Sequence, residues 1–323
     1  MALSAGRDIA LTSTSASENY GSSWGAYLTG VARVDAGSLS MQAGRDLTLT
    51  AAQVAVKDDA RLQAGRDIVL DTLTESHGDR IARGSRNRHE TRSSREIGAD
   101  IAAGNLTLVA GQDINARAAN VTADQQLVVG AGRDVNLTAG LETAYAYDES
   151  YSKKRGLVSS KTTHTISSSD QTRAVASTFS GGVAVVSAGR DVTLLGSNLI
   201  AEQDLRVATY CDIQVLAAEE TYTSYQYEKV KKSGIGAGGG LSIGYNKQER
   251  TDWIKGVSGG YAGSTVGSTA GTSTWTPAVM SASWPAVCWP RTAIFPLPTA
   301  TSTSSRAWDR RGSRNITRSN NRA

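Results

Sequence analysis

Five residues, Ala-Gly-Arg-Asp and an aliphatic side chain, return along this chain at Ala43–Leu47, Ala64–Ile68, Ala131–Val135 and Ala188–Val192. Another copy opens the chain at Ala5–Ile9, and one with Gln112 in place of arginine stands at Ala110–Ile114. A unit that returns at fixed length builds stacked thin layers, each burying its apolar face on the next. Composition agrees: aromatic residues make up 6% of the chain and there are 33 glycines, poor material for one thick core.

The motif glycine serves as a ruler. Gly44 to Gly65 is 21 residues and so is Gly111 to Gly132, while 21 beyond Gly189 lies Tyr210, where glycine and arginine are lost but Asp212 and Ile213 remain. The units therefore come in pairs. After each motif apolar residues alternate, as in Ile9 and Leu11, Leu47 and Leu49, Ile68 and Leu70, Val135 and Leu137, Val192 and Leu194, and Ile213 and Val215. Before it run Leu39 and Met41, Leu106 and Leu108, and Ala184 and Val186, behind a second glycine at Gly37, Gly104 and Gly182. A period of two is that of strands. The unit reads as strand, glycine turn, strand, and 21 residues of it fit one coil of a parallel β-solenoid whose strands pair about 4.8 Å apart. In such a coil the motif glycine is expected to supply a φ that residues with a Cβ resist, the aspartate to favour the turn, and arginine and aspartate to form outward ladders. A leucine-rich or helical solenoid is disfavoured because no 3.6 period is sustained, and an antiparallel sandwich because the inward positions recur unchanged.

Polar excursions follow each pair. Glu75, Glu142 and Glu220 fall eight residues after Asp67, Asp134 and Asp212. Two of the excursions match: each is tyrosine-rich, with Tyr145, Tyr147 and Tyr151 in one and Tyr222, Tyr225 and Tyr227 in the other, and each carries a lysine pair at the same offset, Lys153-Lys154 and Lys231-Lys232. These six tyrosines form the candidate adhesive surface for carbohydrate or protein, against the alternative that they cover the side of the solenoid. The remaining excursion carries Arg80, Arg83, Arg86, Arg88, Arg92 and Arg95 with His77 and His89. It is too polar to bury and is expected to protrude or flex, as a solvated loop rather than a basic patch for a cell surface or anionic polysaccharide.

Residues 1–270 thus read as the solenoid and 271–323 as a separate tail, irregular or disordered. All five prolines and four of the six tryptophans lie in the tail, no lysine follows Lys255, and Asp309 stands alone among seven arginines. Earlier gaps place a further motif between about residues 248 and 267, and none appears there. Prolines at this density do not fit a stacked ladder, which suggests a shifted reading frame or a recombined end.

The function classes narrow quickly. A net charge of +4 spread over interspersed acids and bases gives no nucleic-acid footprint. No apolar run of about 18 residues is present to span a bilayer as a helix, and Met1-Ala2-Leu3-Ser4 leads into a repeat rather than a signal peptide, suggesting a fragment of something longer. Cys211 and Cys288 are too few for a disulfide framework, and Cys211 reads as a spare thiol. His77, His89 and His164 lack metal-ligand spacing, so no metal site is expected. Gly234 to Gly239 matches G-x-G-x-x-G, but lysines precede it and a strand-like alternation follows, so a flexible glycine-rich connection is expected and no cofactor. Asp46, Asp67, Asp113, Asp134 and Asp191 recur in every unit, which marks them as structural rather than catalytic.

The rungs, the segments Lys153-Lys154-Arg155-Gly156-Leu157 and Lys231-Lys232-Ser233-Gly234-Ile235, and Gly239 to Gly244 followed by Lys247 resemble the haemagglutinin-repeat region of filamentous haemagglutinins. The same region occurs in the exoproteins of contact-dependent growth inhibition. The resemblance covers residues 3 to 270 and implies a right-handed parallel β-helix in a long two-partner-secreted protein. It also implies export through an outer-membrane pore-forming partner to the surface of a Gram-negative bacterium. The implied role is adhesion to a host or neighbouring-cell receptor or glycan, or, alternatively, a stalk or translocation segment that carries a toxin. A β-helical carbohydrate-active enzyme is the third reading. The secretion and toxin domains of that family have no counterpart in these residues.

Overall fold

The computed structural model describes residues 1–237, 243–277 and 314–318 of the chain, and among them every regular element is a strand. Seven short parallel strands form one sheet in register: Ile9–Thr12, Leu47–Thr50, Ile68–Asp71, Ile114–Arg117, Val135–Thr138, Val192–Leu195 and Ile213–Leu216. Each follows one motif, so each is one coil. A second, 12-stranded parallel sheet carries the strands before the motif, among them Leu39–Ala43, Asp59–Ala64, Asp100–Ala110, Asn120–Ala131 and Thr178–Ala188. The turn between the two sheets is the motif itself. This is the β-solenoid that the period requires.

The core is a set of columns along the axis. Leu47, Ile68, Ile114, Val135 and Val192 stack on one another, each 0% exposed, with Leu49, Leu70, Ala116, Leu137 and Leu194 forming the next column. On the other wall Met41, Leu62, Leu108, Val129, Val186 and Val207 do the same. A third strand segment, absent from the sequence-based unit, completes each coil: Val54, Ile101, Val121, Phe179 and Leu199 are its inward residues.

The motif glycine turns out to serve contact between coils. Among the described glycines only Gly21, Gly84 and Gly196 have a positive φ, so the motif positions adopt a backbone open to any residue. What excludes a side chain is the coil below. A Cβ on Gly44 would lie 2.2 Å from the carbonyl oxygen of Gly6, and the same clash recurs for Gly65 on Gly44, Gly111 on Gly65, Gly132 on Gly111 and Gly189 on Gly132, at 2.0 to 2.2 Å. Each of these glycines donates its N–H to the alanine carbonyl of the preceding coil. Tyr210, at the equivalent place one coil on, keeps no such bond among the described residues.

The arginine and aspartate ladders form as expected, with one refinement. Arg45 grips Asp8 of the preceding coil through two bonds of 2.9 and 2.8 Å, Arg66 grips Asp46, Arg133 grips Asp113 and Arg190 grips Asp134. The aspartate acceptor is spent on the next coil rather than on its own turn, taking the backbone N–H of the following aspartate at Asp46, Asp113, Asp134, Asp191 and Asp212.

The excursions protrude as expected, but as ordered antiparallel hairpins rather than solvated loops, and four of them, Thr14–Gly30, Leu73–Ile97, Gly140–Val175 and Ala218–Ala262, join into a single nine-stranded sheet with Arg314–Arg318 at its edge. Pairing of the coils explains why. An excursion leaves every second coil, and two coils advance the axis by about 9.6 Å, the width of the two strands of one hairpin. Successive hairpins therefore arrive at hydrogen-bonding distance and fuse into a fin in step with the solenoid. The intervening coils close with a two-residue corner whose first residue, Ala51, Ala118 or Gly196, has a positive φ. The fin widens along the axis, from strands of 6 and 8 residues through 10 and 10, then 16 and 17, to 20 and 20.

This widening also displaces the missing motif. Thr265–Ser268 pairs with Asn198–Ala201 and Ser273–Pro277 with Leu205–Thr209, so a further coil begins after the last hairpin. Register sets its motif glycine opposite Tyr210, at position 278, beyond the 248–267 window because the last excursion is longer than those before it. Most of the tail lies outside the described residues.

Candidate functional site

The six tyrosines lie on the two widest hairpins, and the register sorts them. Tyr145, Tyr147 and Tyr151 share a face with His164, which pairs directly with Tyr151, and Tyr225 and Tyr227 join that face through Ser168 and Ile166. Tyr222 pairs with Gln171 and points to the other face, where it is 43% exposed. Alternation along a strand dictates this split: Tyr222 is an odd number of residues from its neighbours.

Arginines of the preceding hairpin meet the tyrosines. The guanidinium of Arg86 stands 5.1 Å from the ring centre of Tyr151, that of Arg88 5.5 Å from Tyr147 and that of Arg92 5.4 Å from Tyr145. Cation–π contact of this kind contributes about 0.5–1 kcal/mol at exposed sites. Half of the arginines in this excursion are ion-paired: Arg88 also binds Glu149 at 2.6 Å, and Arg92 and Arg80 flank Glu90. Arg83, Arg86 and Arg95 have no carboxylate partner among the described residues.

Glu149 is the hub. Its side chain is 6% exposed in the middle of the fin. One oxygen, Oε2, accepts from Arg88 Nε and Nη2 and from the Tyr147 hydroxyl at 3.1 Å, while Oε1 lies 2.8 Å from His164 Nε2. Arg88 first, and then His164, hold its carboxyl below the usual carboxylate range against the opposing effect of desolvation. Burial, then the bond to Glu149, raises the Tyr147 hydroxyl. His164 is packed edge-on between Tyr151 and Tyr227, with ring centres 6.0 and 5.6 Å away. Both oxygens of Glu149 are engaged, which fits a pin between hairpins rather than a base awaiting a substrate.

The remaining sequence-derived candidates fall as follows. His77 lies between the Tyr27 hydroxyl, 2.9 Å, and Asp79, 2.6 Å, and His89 binds Asp148. Glu75 accepts the N–H of Leu28, and Glu220 that of Ala174, in each case from the return strand of the preceding hairpin where the ladder between hairpins stops. At these two hairpins the recurring glutamate caps the fin at its root; Glu142 makes no such bond among the described residues. Gly234–Ala237 continue a strand paired with Ile243–Asn246, in place of the flexible connection anticipated there; residues 238–242 lie outside the described residues. Cys211 is not a free thiol, which overturns its assignment as a spare one.

Two features carry no distinctive signal in the sequence. Serines staple the coil where an excursion joins it: buried Ser13 accepts from Ala32 N–H and donates to Ala51 O, buried Ser177 accepts from Ala119 N–H and donates to Thr138 O, and the half-buried Ser264 repeats the pattern with Ser197 and Leu216. Glu96, 8% exposed, ties Thr72 and Thr74 to Arg117 of the next coil. Serine is too abundant here for three of them to stand out.

The family model described as "Hemagglutinin repeat" matches residues 3–79, 81–162 and 156–283. The chain belongs to the hemagglutinin-repeat family. Similar curated proteins include the "tRNA nuclease CdiA" of Escherichia coli, 37% identical over 221 residues, which are 68% of this chain and 7% of that protein. The "Deoxyribonuclease CdiA" of Dickeya dadantii is 32% identical over 210 residues, 64% of this chain and 6% of that protein. The "16S rRNA endonuclease CdiA" of Enterobacter cloacae is 38% identical over 158 residues, 48% of this chain and 5% of that protein. The chain therefore spans under a tenth of the length of these relatives. No solved structure matches it. The repeats are a structural segment of CdiA-type large exoproteins.

Proposed function

We propose that this chain is a stalk segment of a contact-dependent growth inhibition exoprotein, a rod that spaces and carries other parts of a long secreted protein. One observation supports this above the rest. Three relatives named for cutting three different nucleic acids, tRNA, 16S rRNA and DNA, each align with 48 to 68% of this chain at 32 to 38% identity. Repeats found in relatives with different targets do not set which nucleic acid is cut. Its geometry suits a rod, with columns of aliphatic side chains, ladders of paired charges and a fin locked in step. In this proposal the parent is exported through an outer-membrane pore partner and the segment stands at the bacterial surface. The tail past the last described coil is proposed to be a shifted reading frame, and translating the other frames tests that: a repeat motif aligned with position 278 should appear in one of them.

The test of the stalk is an in-frame deletion in the parent exoprotein. Removing residues 112–189 joins Gly111 to Arg190 and takes out one full two-coil period with its hairpin, shortening the rod by about 10 Å. The proposal expects export and inhibition of neighbouring cells to persist in co-culture. Normal export with lost cell binding would instead favour adhesion, the second reading, which the tyrosine face supports. Substituting Tyr145, Tyr147 and Tyr151 and measuring cell binding separates the two: unchanged binding with an intact fold removes the adhesive role.

A further inference from the structure

The far end of the fin carries charges that the fold leaves unbalanced. At the outer end of the Gly140–Arg155 and Ser159–Val175 hairpin, Lys154 pairs directly with Lys161, and Lys161 with Lys232 of the next hairpin. Three ammonium groups thus stand in one row on one face of three adjacent strands, about 5 Å apart at the backbone. Like charges directly opposite one another destabilise a sheet. On the opposite face the fold handles the same problem differently: Lys229 and Lys231 share Glu249 at 2.6 and 3.3 Å. Among the described residues no carboxylate forms an ion pair with Lys154, Lys161 or Lys232.

Around a cleft of about 460 Å³ at this end of the sheet, the three lysines lie on one face, while Arg155 and the hydroxyls of Ser160 and Ser233, 2.8 Å apart, lie on the other. A row of three lysines with no carboxylate partner, and Arg155 across the sheet, ring the tip with cations suited to phosphate groups. Beside the cleft, the turn of the same hairpin presents Leu157 and Val158 to solvent, 106% and 59% exposed, and the neighbouring hairpin adds Ile235, 53% exposed. Aliphatic residues at the tip of a long polar hairpin have no core to reach, since the solenoid lies about 50 Å away at the other end of a 16-residue strand. An apolar tip with a collar of lysines is the pattern of a segment that sits in a lipid headgroup layer.

We propose that the tip of the fin docks on an anionic phospholipid surface, with Leu157 and Val158 entering the headgroup layer while Lys154, Arg155, Lys161 and Lys232 hold lipid phosphates. The proposal is independent of the stalk assignment. In it, the long hairpins fix the standoff between rod and bilayer, and repulsion along the lysine row is relieved only on docking.

Flotation of the full chain with lipid vesicles tests it. The chain is expected to float with vesicles of phosphatidylcholine mixed with phosphatidylglycerol, to release as salt is raised, and to bind phosphatidylcholine alone far more weakly. Each basic residue near such a surface contributes about 1 kcal/mol, about fivefold in affinity. K154Q/K161Q/K232Q should therefore bind about a hundredfold more weakly with an unchanged circular dichroism spectrum, and Leu157→Asn should weaken binding without altering its salt dependence. Pyrophosphate should compete with the vesicles. Equal binding to both vesicle types, or full binding by the triple variant, would overturn the proposal. So would a thermal shift with pyrophosphate in a chain that ignores vesicles, because the cleft would then serve a free oxyanion.

Discussion

Substituting Gly132 by alanine separates two explanations of the motif glycine. If the residue were there for its φ, every copy would be equally sensitive. The structure places the constraint between coils instead: a Cβ on Gly132 would sit 2.1 Å from Gly111 O and 2.9 Å from its carbon, whereas one on Gly6, at the first coil, would meet nothing within 4 Å. Relief at Gly132 requires the coils to part locally by about 1 Å, an overpacking cost of about 1–3 kcal/mol. The opening also strains the bonds that flank the glycine, Gly132 N–H to Ala110 O at 3.0 Å and Arg133 N–H to Gln112 O at 2.8 Å, worth about 0.5–1.5 kcal/mol each. The expected loss for Gly132→Ala is about 2–4 kcal/mol, and for Gly6→Ala less than about 0.5 kcal/mol. Urea denaturation followed by circular dichroism measures both in the full chain. Equal losses at the two positions, or a loss at Gly132 below about 0.5 kcal/mol, would refute the close-approach account.

Ser177→Ala leaves the N–H of buried Ala119 without a partner and removes one of two donors to Thr138 O, which keeps Ala118 N–H, and should cost about 1–3 kcal/mol in the same assay, while Ser264→Ala, at a more exposed root, should cost less. Asp113 is held below the usual carboxylate range by Arg133, and Glu149 by Arg88 and His164. Because these folded values are depressed, the stability they contribute is present above the unfolded pKa and lost as pH falls through the carboxylate range, below about 4. Urea midpoints across pH should fall there, and Glu149→Gln should be less stable at neutral pH with a shallower acid limb.

How much of this is legible in sequence depends on whether the cause is periodic. The coil was, because the inward columns and the Arg133–Asp113 type of ladder repeat their residues at fixed spacing. The third strand segment was harder, since Val54, Ile101 and Phe179 occupy equivalent positions with different side chains. The reason for the glycine was invisible, because Gly132 and Gly111 are neighbours only in the stack. The fin was misjudged on polarity: Gly140–Val175 is rich in Ser, Thr and charge and looks unburiable, yet its strands need no apolar face when hairpins meet edge to edge. The arithmetic that brings them together, two coils against two strands, was implicit in the pairing of motifs. The hub at Glu149 draws Arg88 from 61 residues away, a distance at which no local pattern speaks.

The fused fin is the central structural claim, and amide hydrogen exchange of the full chain reads it directly. Ser159–Val175 is paired on one side with Gly140–Arg155 and on the other with Ala218–Ala237. Its amides from Ser160 to Thr172 should exchange at least about a hundredfold more slowly than an unstructured peptide, an opening free energy of about 3 kcal/mol or more. Exchange at peptide rates in this segment, with the coil strands Val135–Thr138 and Val192–Leu195 still protected, would show that the excursions are loops and that the fin does not exist.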